Sequence, residues 1–272
     1  MAESRLTIRG LRVRTVEVPM SDPHRTASGT ITSSPLVLTD LLTDEGADVR
    51  IRRLRRRRRL GPGGRGLGRS RRDRRQAKIG YPDVREDVAV IRAIRRAAGD
   101  EMAVMVDYNQ SLTPVEAVER ARQLDDEGLT WIEEPTRAED YAGMAEVARA
   151  ASTPIQAGEN WWGPQELAKA IAAGASDHVM PDAMKIGGVT GWQRAAAIAA
   201  AAGRLVSSHL FVEVSAHLLG ATPTAHWLEY ADWFNPVIAE PLRIVDGFAV
   251  PADRPGSGRR VDEGRVARYA AG

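Results

Sequence analysis

The sequence contains no cysteine and no long apolar run. Without cysteine the chain cannot form a disulfide, use a thiolate as a nucleophile or bind zinc through sulfur. The first residues lack the apolar core of a secretory signal peptide. The longest apolar stretch, the alanine-rich residues 195–202, is far too short to cross a membrane. We therefore expect a cytoplasmic protein that has no membrane partner.

Positive charge is concentrated in one segment. Residues 50–75 hold fourteen arginines and one aspartate, so the rest of the chain is net acidic although the whole carries +2. The surrounding residues 48–75 are low in complexity and lack an apolar period, which predicts a linker that does not fold alone. A polyanion-binding patch and an out-of-frame translation are the alternatives. No aromatic residue is interleaved with the arginines, so we do not expect nucleic acid as a partner.

The residues before this segment predict a small, incomplete domain. Residues 5–17 and 35–43 alternate apolar and polar positions, which is typical of strands. Residues 19–34 are rich in proline, serine, threonine and glycine and predict a mobile loop. Because the arginine-rich segment stands where helices should follow, we expect residues 1–47 to form a truncated α+β domain.

From residue 76 onward, short apolar runs alternate with helical patterns. Such alternation predicts parallel strands linked by helices, and a TIM-type (β/α) barrel needs eight strands. We find seven, and predict a barrel over 76–237 that lacks its first strand, followed by an extended return segment, 238–272. Each strand ends near a residue of chemical interest: Lys78, Asp107, Glu133, Glu159, Asp182, His209 and Glu229.

Three of these residues are carboxylates at equal intervals. Asp107, Glu133 and Glu159 are separated by 26 and 26 residues, and each follows an apolar run. In a barrel the carboxyl ends of the strands meet on one face. Each acid taken alone is best explained as a cap of the following helix. Three in register favour a Mg²⁺ site, because Mg²⁺ prefers hard oxygen ligands.

The remaining strand-end residues suggest acid–base chemistry. Lys78 is either a general base or a surface lysine. Asp182 either orients His209 as a base or caps a helix beside an unreactive histidine. Glu229 either donates a hydrogen bond to a developing oxyanion or is merely solvated. Lys185 either lines the site or is structural. Together with a metal, these groups predict proton abstraction next to a carboxylate.

These residues lie in motifs that resemble the enolase superfamily, and within it the mandelate racemase/muconate lactonizing enzyme family. The matching runs cover most of the chain outside the arginine-rich segment: Lys78-Ile-Gly-Tyr-Pro, Val106-Asp-Tyr-Asn-Gln-Ser, Trp131-Ile-Glu-Glu-Pro-Thr, Gly158-Glu-Asn-Trp, Met180-Pro-Asp-Ala-Met-Lys-Ile-Gly-Gly, Ser207-Ser-His-Leu-Phe, Ser215-Ala-His-Leu-Leu and His226-Trp-Leu-Glu. On this resemblance residues 1–47 correspond to a capping domain.

The resemblance implies roles for individual residues. It places Mg²⁺ on the three spaced carboxylates, Asp107, Glu133 and Glu159. It makes Lys78 and the His209–Asp182 pair two opposed bases, with Glu229 facing the substrate carboxylate. It also implies that Asn109 contacts the substrate hydroxyl and that loop 20–32, with His24 and Ile31, closes over the substrate.

The implied activity is Mg²⁺-dependent removal of the α-proton of a 2-hydroxy carboxylate through an enediolate. Racemisation of mandelate or a similar aryl 2-hydroxy acid is the first expectation, by a homo-oligomer. A sugar-acid dehydratase, a truncated inactive relative and a polyanion-binding protein are the alternatives. The chain departs from the family at two places. The capping helices and the first barrel strand are replaced by arginines, and Gln76 stands where the family has a second lysine.

Overall fold

The computed structural model describes residues 8–26, 29–43, 74–245, 247–254 and 256–271. The arginine-rich segment 48–75 lies outside these residues except for its last two, so its lack of order stays a prediction. Within the described ranges no helix is both long enough and apolar enough to cross a membrane.

The chain begins with an antiparallel hairpin of two long strands, β1 (Ile8–Thr26) and β2 (Gly29–Thr43). The expectation of a mobile loop over residues 19–34 is wrong, because His24 pairs with Ile31 and the strands continue beyond them. The register shifts between Pro19 and His24. Proline is tolerated at such irregularities, since it has no N–H to give to the ladder. Strand pairing here overrides a composition that favours turns.

The main sheet has seven parallel strands whose spatial order follows the chain. The predicted barrel without its first strand is confirmed as a curled, partial TIM barrel. Its strands are β3 (Arg74–Lys78), β4 (Ala103–Asp107), β5 (Ile132–Glu133), β6 (Ile155–Ala157), β7 (His178–Val179), β8 (Leu205–Ser208) and β9 (Ala225–Leu228). The first of them begins at residue 74, within the expected linker.

Six helices connect these strands and cover the outside of the sheet. The sequence signals act as expected at their ends: Thr113 forms a capping box with Glu116, and Gly174 ends its helix in the left-handed conformation. Strand side chains such as Val106, Ile132 and Val206 pack outward into one apolar core beneath the helices. The helices are α1 (Val84–Ala98), α2 (Pro114–Leu124), α3 (Tyr141–Ala150), α4 (Gly163–Ala173), α5 (Gly188–Ala201) and α6 (Val212–Gly220).

The C-terminal segment is more structured than predicted. Instead of one extended return, it forms a short hairpin, β10 (Arg243–Val245) with β11 (Phe248–Val250), and a helix, α7 (Glu263–Arg268). These elements are too short to give a periodic sequence signal. The helix is fixed instead by the side chain of Asp262 at its start and by burial of Val266.

The C-terminal segment supports the N-terminal hairpin. Val16 and Val18 of β1 are buried and pack against Val237 and Val266. The backbone N–H of Glu17 donates to the carbonyl of Tyr269 over 2.9 Å. The opposite face of the hairpin exposes apolar side chains: Leu11, Val13 and Val37.

A buried carboxylate fixes the loop that follows β3. Asp87 of α1 is fully buried and accepts hydrogen bonds from the backbone N–H groups of Gly80 (2.9 Å) and Tyr81 (3.1 Å). It also accepts from the hydroxyl of Tyr108 (3.1 Å) and from Arg120 of α2 (2.9 Å). The network therefore ties the end of β3 to the two helices behind it.

Replacing Asp87 by alanine should destabilise the protein strongly. The change removes the carboxylate that pairs with Arg120 and accepts from two backbone N–H groups, although Arg120 keeps its hydrogen bonds to the carbonyls of Tyr81 and Pro82. Breaking a buried ion pair costs about 3–5 kcal/mol. Urea unfolding of the variant measures this loss. Glu139→Ala is the control, because its pair with Arg137 is exposed and such pairs contribute at most about 1 kcal/mol. Equal losses in the two variants would contradict the assignment.

Candidate active site

Three carboxylates meet at the carboxyl ends of neighbouring strands. Asp107 ends β4 and Glu133 ends β5, and the parallel register places them side by side. Glu159 follows β6 by two residues. One oxygen of each lies within 4.8 Å of the others. Asp107 and Glu133 are fully buried and Glu159 is 8% exposed, so the spacing seen in the sequence becomes a cluster in space.

The cluster has the chemistry of a site for a hard divalent cation. Burial and the neighbouring carboxylates raise the pKa of Glu133 and of Glu159. Buried like charges are costly unless a cation compensates them. Three carboxylate oxygens match the preference of Mg²⁺ for oxygen and leave coordination positions for substrate and water. The donor set therefore fits Mg²⁺.

Neutral donors hold the central carboxylate. Glu133 accepts from Gln76 Nε2 at one oxygen (2.8 Å) and from Trp131 Nε1 (3.1 Å) and Gln156 Nε2 (3.0 Å) at the other. Sequence reasoning assigned no site role to Trp131 or Gln156. Trp131 could have been found, because a residue two before Glu133 on a strand lies on the same face. Gln156 follows no such rule, since it is three residues before Glu159.

Lys78 lies at the end of β3, paired in register with Asp107, and its ammonium contacts the Asp107 carboxylate. Burial alone lowers the pKa of Lys78, but Asp107, Glu133 and Glu159 raise it more, so the net shift is upward. A base needs the opposite shift. A cation that compensated these carboxylates would remove the upward contributions and leave the lowering by burial, so the pKa of Lys78 is linked to the metal site.

His209 and Asp182 form the expected pair on adjacent strand ends. His209 Nδ1 lies 2.7 Å from Asp182 Oδ2, and a backbone bridge joins the two residues. The other ring nitrogen, Nε2, lies 3.4 Å from Glu159 Oε2. Burial lowers the pKa of His209, but its hydrogen bond to Asp182 and the carboxylates of Glu229 and Glu159 raise that pKa more, so the net shift is upward.

Lys185 contacts the site through an amide. Its ammonium donates to Asn160 Oδ1 over 2.7 Å, and Asn160 Nδ2 donates to Glu134 Oε2 over 2.8 Å. Burial and the nearby Glu159 and Asp107 raise the pKa of Glu134 to about 8. Neither Glu134 nor Asn160 was expected from the sequence, although each directly follows a predicted metal ligand.

The remaining predicted residues are placed as follows. Glu229 accepts from the backbone N–H of Leu210 over 2.7 Å. Asn109 has a left-handed backbone (φ 44°), and its N–H donates to Asp107 Oδ1 over 2.6 Å. His24 and Ile31 pair near the tip of the N-terminal hairpin, and Ile31 is 48% exposed. Substrate contacts of Asn109, His24, Ile31 and Lys185 stay predictions.

The curled parallel sheet and the acid cluster at its strand ends define a TIM-barrel protein with a divalent-metal site. The family model for enolase C-terminal domain-like proteins matches residues 68–265. The chain therefore belongs to this family and so to the enolase superfamily, as its motifs suggested. Mg²⁺ is the cofactor for which the site is built.

Known relatives agree with this assignment. The L-talarate/galactarate dehydratase of Salmonella typhimurium is 39% identical over 68% of this chain and 47% of its own length. The 3,6-anhydro-alpha-L-galactonate cycloisomerase of Streptomyces coelicolor is 36% identical over 72% of this chain and 54% of its own length. The chain thus spans about half the length of these curated relatives.

Solved structures give the same family. A crystal structure of an enolase from Bradyrhizobium, complexed with magnesium and mandelic acid, has a TM-score of 0.88, 34% identity and full coverage of both chains. The L-talarate dehydratase of Polaromonas sp. JS666, complexed with magnesium and L-glucarate, has a TM-score of 0.69 and 33% identity. The match covers 76% of this chain and 56% of the Polaromonas chain.

Glu159→Gln should weaken Mg²⁺ binding, because it removes one of three anionic ligands. Loss of a ligand charge should lower the affinity by at least the 10–100-fold typical of changes around a metal site. Isothermal titration calorimetry with MgCl₂ measures this. Glu139→Gln, an exposed carboxylate outside the cluster, should bind Mg²⁺ like the unaltered chain. Unchanged affinity in Glu159→Gln would exclude it as a ligand.

Proposed function

We propose that this protein removes the α-proton of a 2-hydroxy carboxylate in a Mg²⁺-dependent reaction. The observation that carries the proposal is the placement of two bases at the two ends of the acid cluster. Lys78, on β3, contacts Asp107 at one end. His209, just after β8, lies beside Glu159 at the other. A substrate held at the cluster would therefore have one base on each side.

His209 has the geometry of a general base. Asp182 accepts from the Nδ1 position, which fixes the tautomer that leaves the lone pair on Nε2. That nitrogen points toward the acid cluster, as its 3.4 Å distance to Glu159 shows. It can accept the α-proton from one face of the substrate or return it to that face.

Lys78 serves the opposite face. Only the neutral amine accepts a proton, and the carboxylates around it favour the charged form. Bound Mg²⁺ supplies positive charge that compensates these carboxylates and stabilises the negative charge on the substrate carboxylate. Gln76, where the family has a second lysine, adds no charge of its own. The chain therefore depends on the metal site to keep Lys78 available as a base.

Glu229 completes the arrangement at the substrate carboxylate. Its carboxyl group lies at the same strand-end face, where it accepts from the backbone N–H of Leu210, the residue after His209. When protonated it can donate a hydrogen bond to an oxygen of the enediolate. Removal of the α-proton leaves charge on that oxygen, so this hydrogen bond strengthens as the reaction proceeds.

Two outcomes follow from the same proton abstraction. Return of the proton on the other face racemises the substrate, and mandelate or a similar aryl 2-hydroxy acid remains our first candidate. The mandelic acid in the similar Bradyrhizobium structure supports it. Loss of a β-hydroxyl instead dehydrates a sugar acid, and the 39% identical L-talarate/galactarate dehydratase supports that second candidate.

Nuclear magnetic resonance in D₂O tests the proposal. The protein is incubated with each enantiomer of mandelate and with galactarate, with and without MgCl₂. Mg²⁺-dependent exchange of the mandelate α-proton with inversion supports racemisation, and formation of a 2-keto product from galactarate supports dehydration. No exchange with any of these acids would favour the truncated, inactive relative. Sedimentation in the same buffer tests the expected homo-oligomer.

Lys78 and His209 should each remove the α-proton of a different enantiomer. His209→Asn should retain α-proton exchange only with the enantiomer served by Lys78, and Lys78→Met only with the other. Loss of a positioned base typically lowers the rate about 10²–10⁴-fold. His217→Asn is the control, because its Nε2 interacts with the carbonyl of Ser257 instead. Equal exchange of both enantiomers in either base variant would refute the two-base assignment.

A further inference from the structure

The last two strands of the sheet do not pair evenly. Val206 of β8 pairs with Ala225 of β9, and Ser208 pairs with Leu228. Two steps along β8 therefore correspond to three steps along β9, so β9 contains one extra residue. Such a bulge bends a strand and turns the side chains beyond it in a new direction.

The side chains of β9 show where the extra residue lies. His226 and Trp227 are consecutive, yet both rings contact Trp131, at centroid distances of 5.9 and 5.3 Å. In an even strand consecutive side chains point to opposite faces. The bulge thus lies at these two residues, and Leu228 packs against the outer core beyond it. The next residue, Glu229, is thereby directed into the barrel.

A serine hydroxyl provides the next hydrogen bond at the point where the pairing of β8 with β9 ends. The hydroxyl of Ser208 accepts the backbone N–H of Glu229 over 3.2 Å, and Ser208 is fully buried. The carboxyl of Glu229 then accepts the N–H of Leu210 over 2.7 Å. Leu210 and Phe211 both have left-handed backbones, with φ of 43° and 45°. Non-glycine residues adopt this conformation only at a cost, so the turn is held by its surroundings.

We infer that Ser208 is a positioning residue for Glu229. Its hydroxyl accepts the N–H of Glu229, which follows the last paired residue of β9, and so fixes the backbone from which the carboxyl group extends. The bulge sets the direction of the Glu229 side chain. The hydroxyl of Ser208 fixes the position of its backbone, and the N–H of Leu210 orients its carboxyl group. This inference rests on the proposed function only in assuming that Glu229 acts on the substrate.

The neighbouring residue provides a matched control. Ser207 is also buried on β8, but its hydroxyl has no hydrogen-bond partner among the residues that the structure describes. Ser207→Ala removes the same hydroxyl oxygen as Ser208→Ala, one position away, but it does not remove a hydrogen bond. Ser208→Thr retains the hydroxyl and suits a strand.

Backbone hydrogen exchange tests the geometry without any substrate. The amide of Glu229 should exchange about 5–160-fold faster in Ser208→Ala, since loss of a buried hydrogen bond costs roughly 1–3 kcal/mol. Exchange of the same amide should change little in Ser207→Ala and Ser208→Thr. An amide that exchanges equally in all three variants would overturn the inference, whatever the activity of the protein.

Kinetics then tests the link to catalysis. Ser208→Ala should lower kcat for α-proton exchange by about 10–100-fold, the typical effect of losing a residue that orients an active group, with a smaller change in KM. Ser207→Ala should not. In a Glu229→Gln background the Ser208→Ala change should have little further effect, because coupled residues are not additive. A full additional loss there would show that Ser208 acts elsewhere and overturn the inference. An inactive unaltered chain refutes the proposed function alone, and amide exchange then decides on Ser208.

Discussion

The molecule depends on holding three carboxylates together out of water. Asp107, Glu133 and Glu159 are buried within a few ångströms of one another, and desolvation and mutual repulsion both oppose this. Lys78 compensates part of the charge, and the neutral donors around Glu133 compensate none of it. A divalent cation is therefore part of the electrostatic balance of the fold. Lys78 and His209 flank the cluster, so the pKa of each depends on the same balance.

The parallel sheet creates this constraint, and it is the part that the sequence predicts well. A period of 26 residues between acids at the ends of apolar runs already implies repeated βα units with aligned strand ends. Asp107 and Glu133 are consequently neighbours in the ladder. The contact between Asp182 and His209 follows in the same way, because these two residues also lie at the ends of neighbouring strands. Strand order, helix caps and these residues are local or periodic features, which a single sequence displays.

Features that depend on contacts between distant segments were not predictable. Residues 19–34 have a loop-like composition, yet antiparallel pairing makes most of them strand. Gln156 holds Glu133 because two strands are adjacent, and nothing in its own neighbourhood marks it. The extra residue in β9 changes the direction of Glu229 without any glycine or proline as a signal. Gln156 lies 23 residues from Glu133, and Leu228 lies 20 residues from its partner Ser208. In the hairpin the partner is nearer, but it belongs to the opposite strand.

The packing of the hairpin on the C-terminal segment has a consequence for synthesis on the ribosome. Val16 and Val18 are made more than 200 residues before their packing partners Val237 and Val266. At about 5–20 residues per second the hairpin waits roughly 10–50 seconds for this support. An isolated two-stranded hairpin is marginally stable at best. Until Val237 and Val266 have been made, the apolar face of the hairpin therefore has no packing partner from the C-terminal segment.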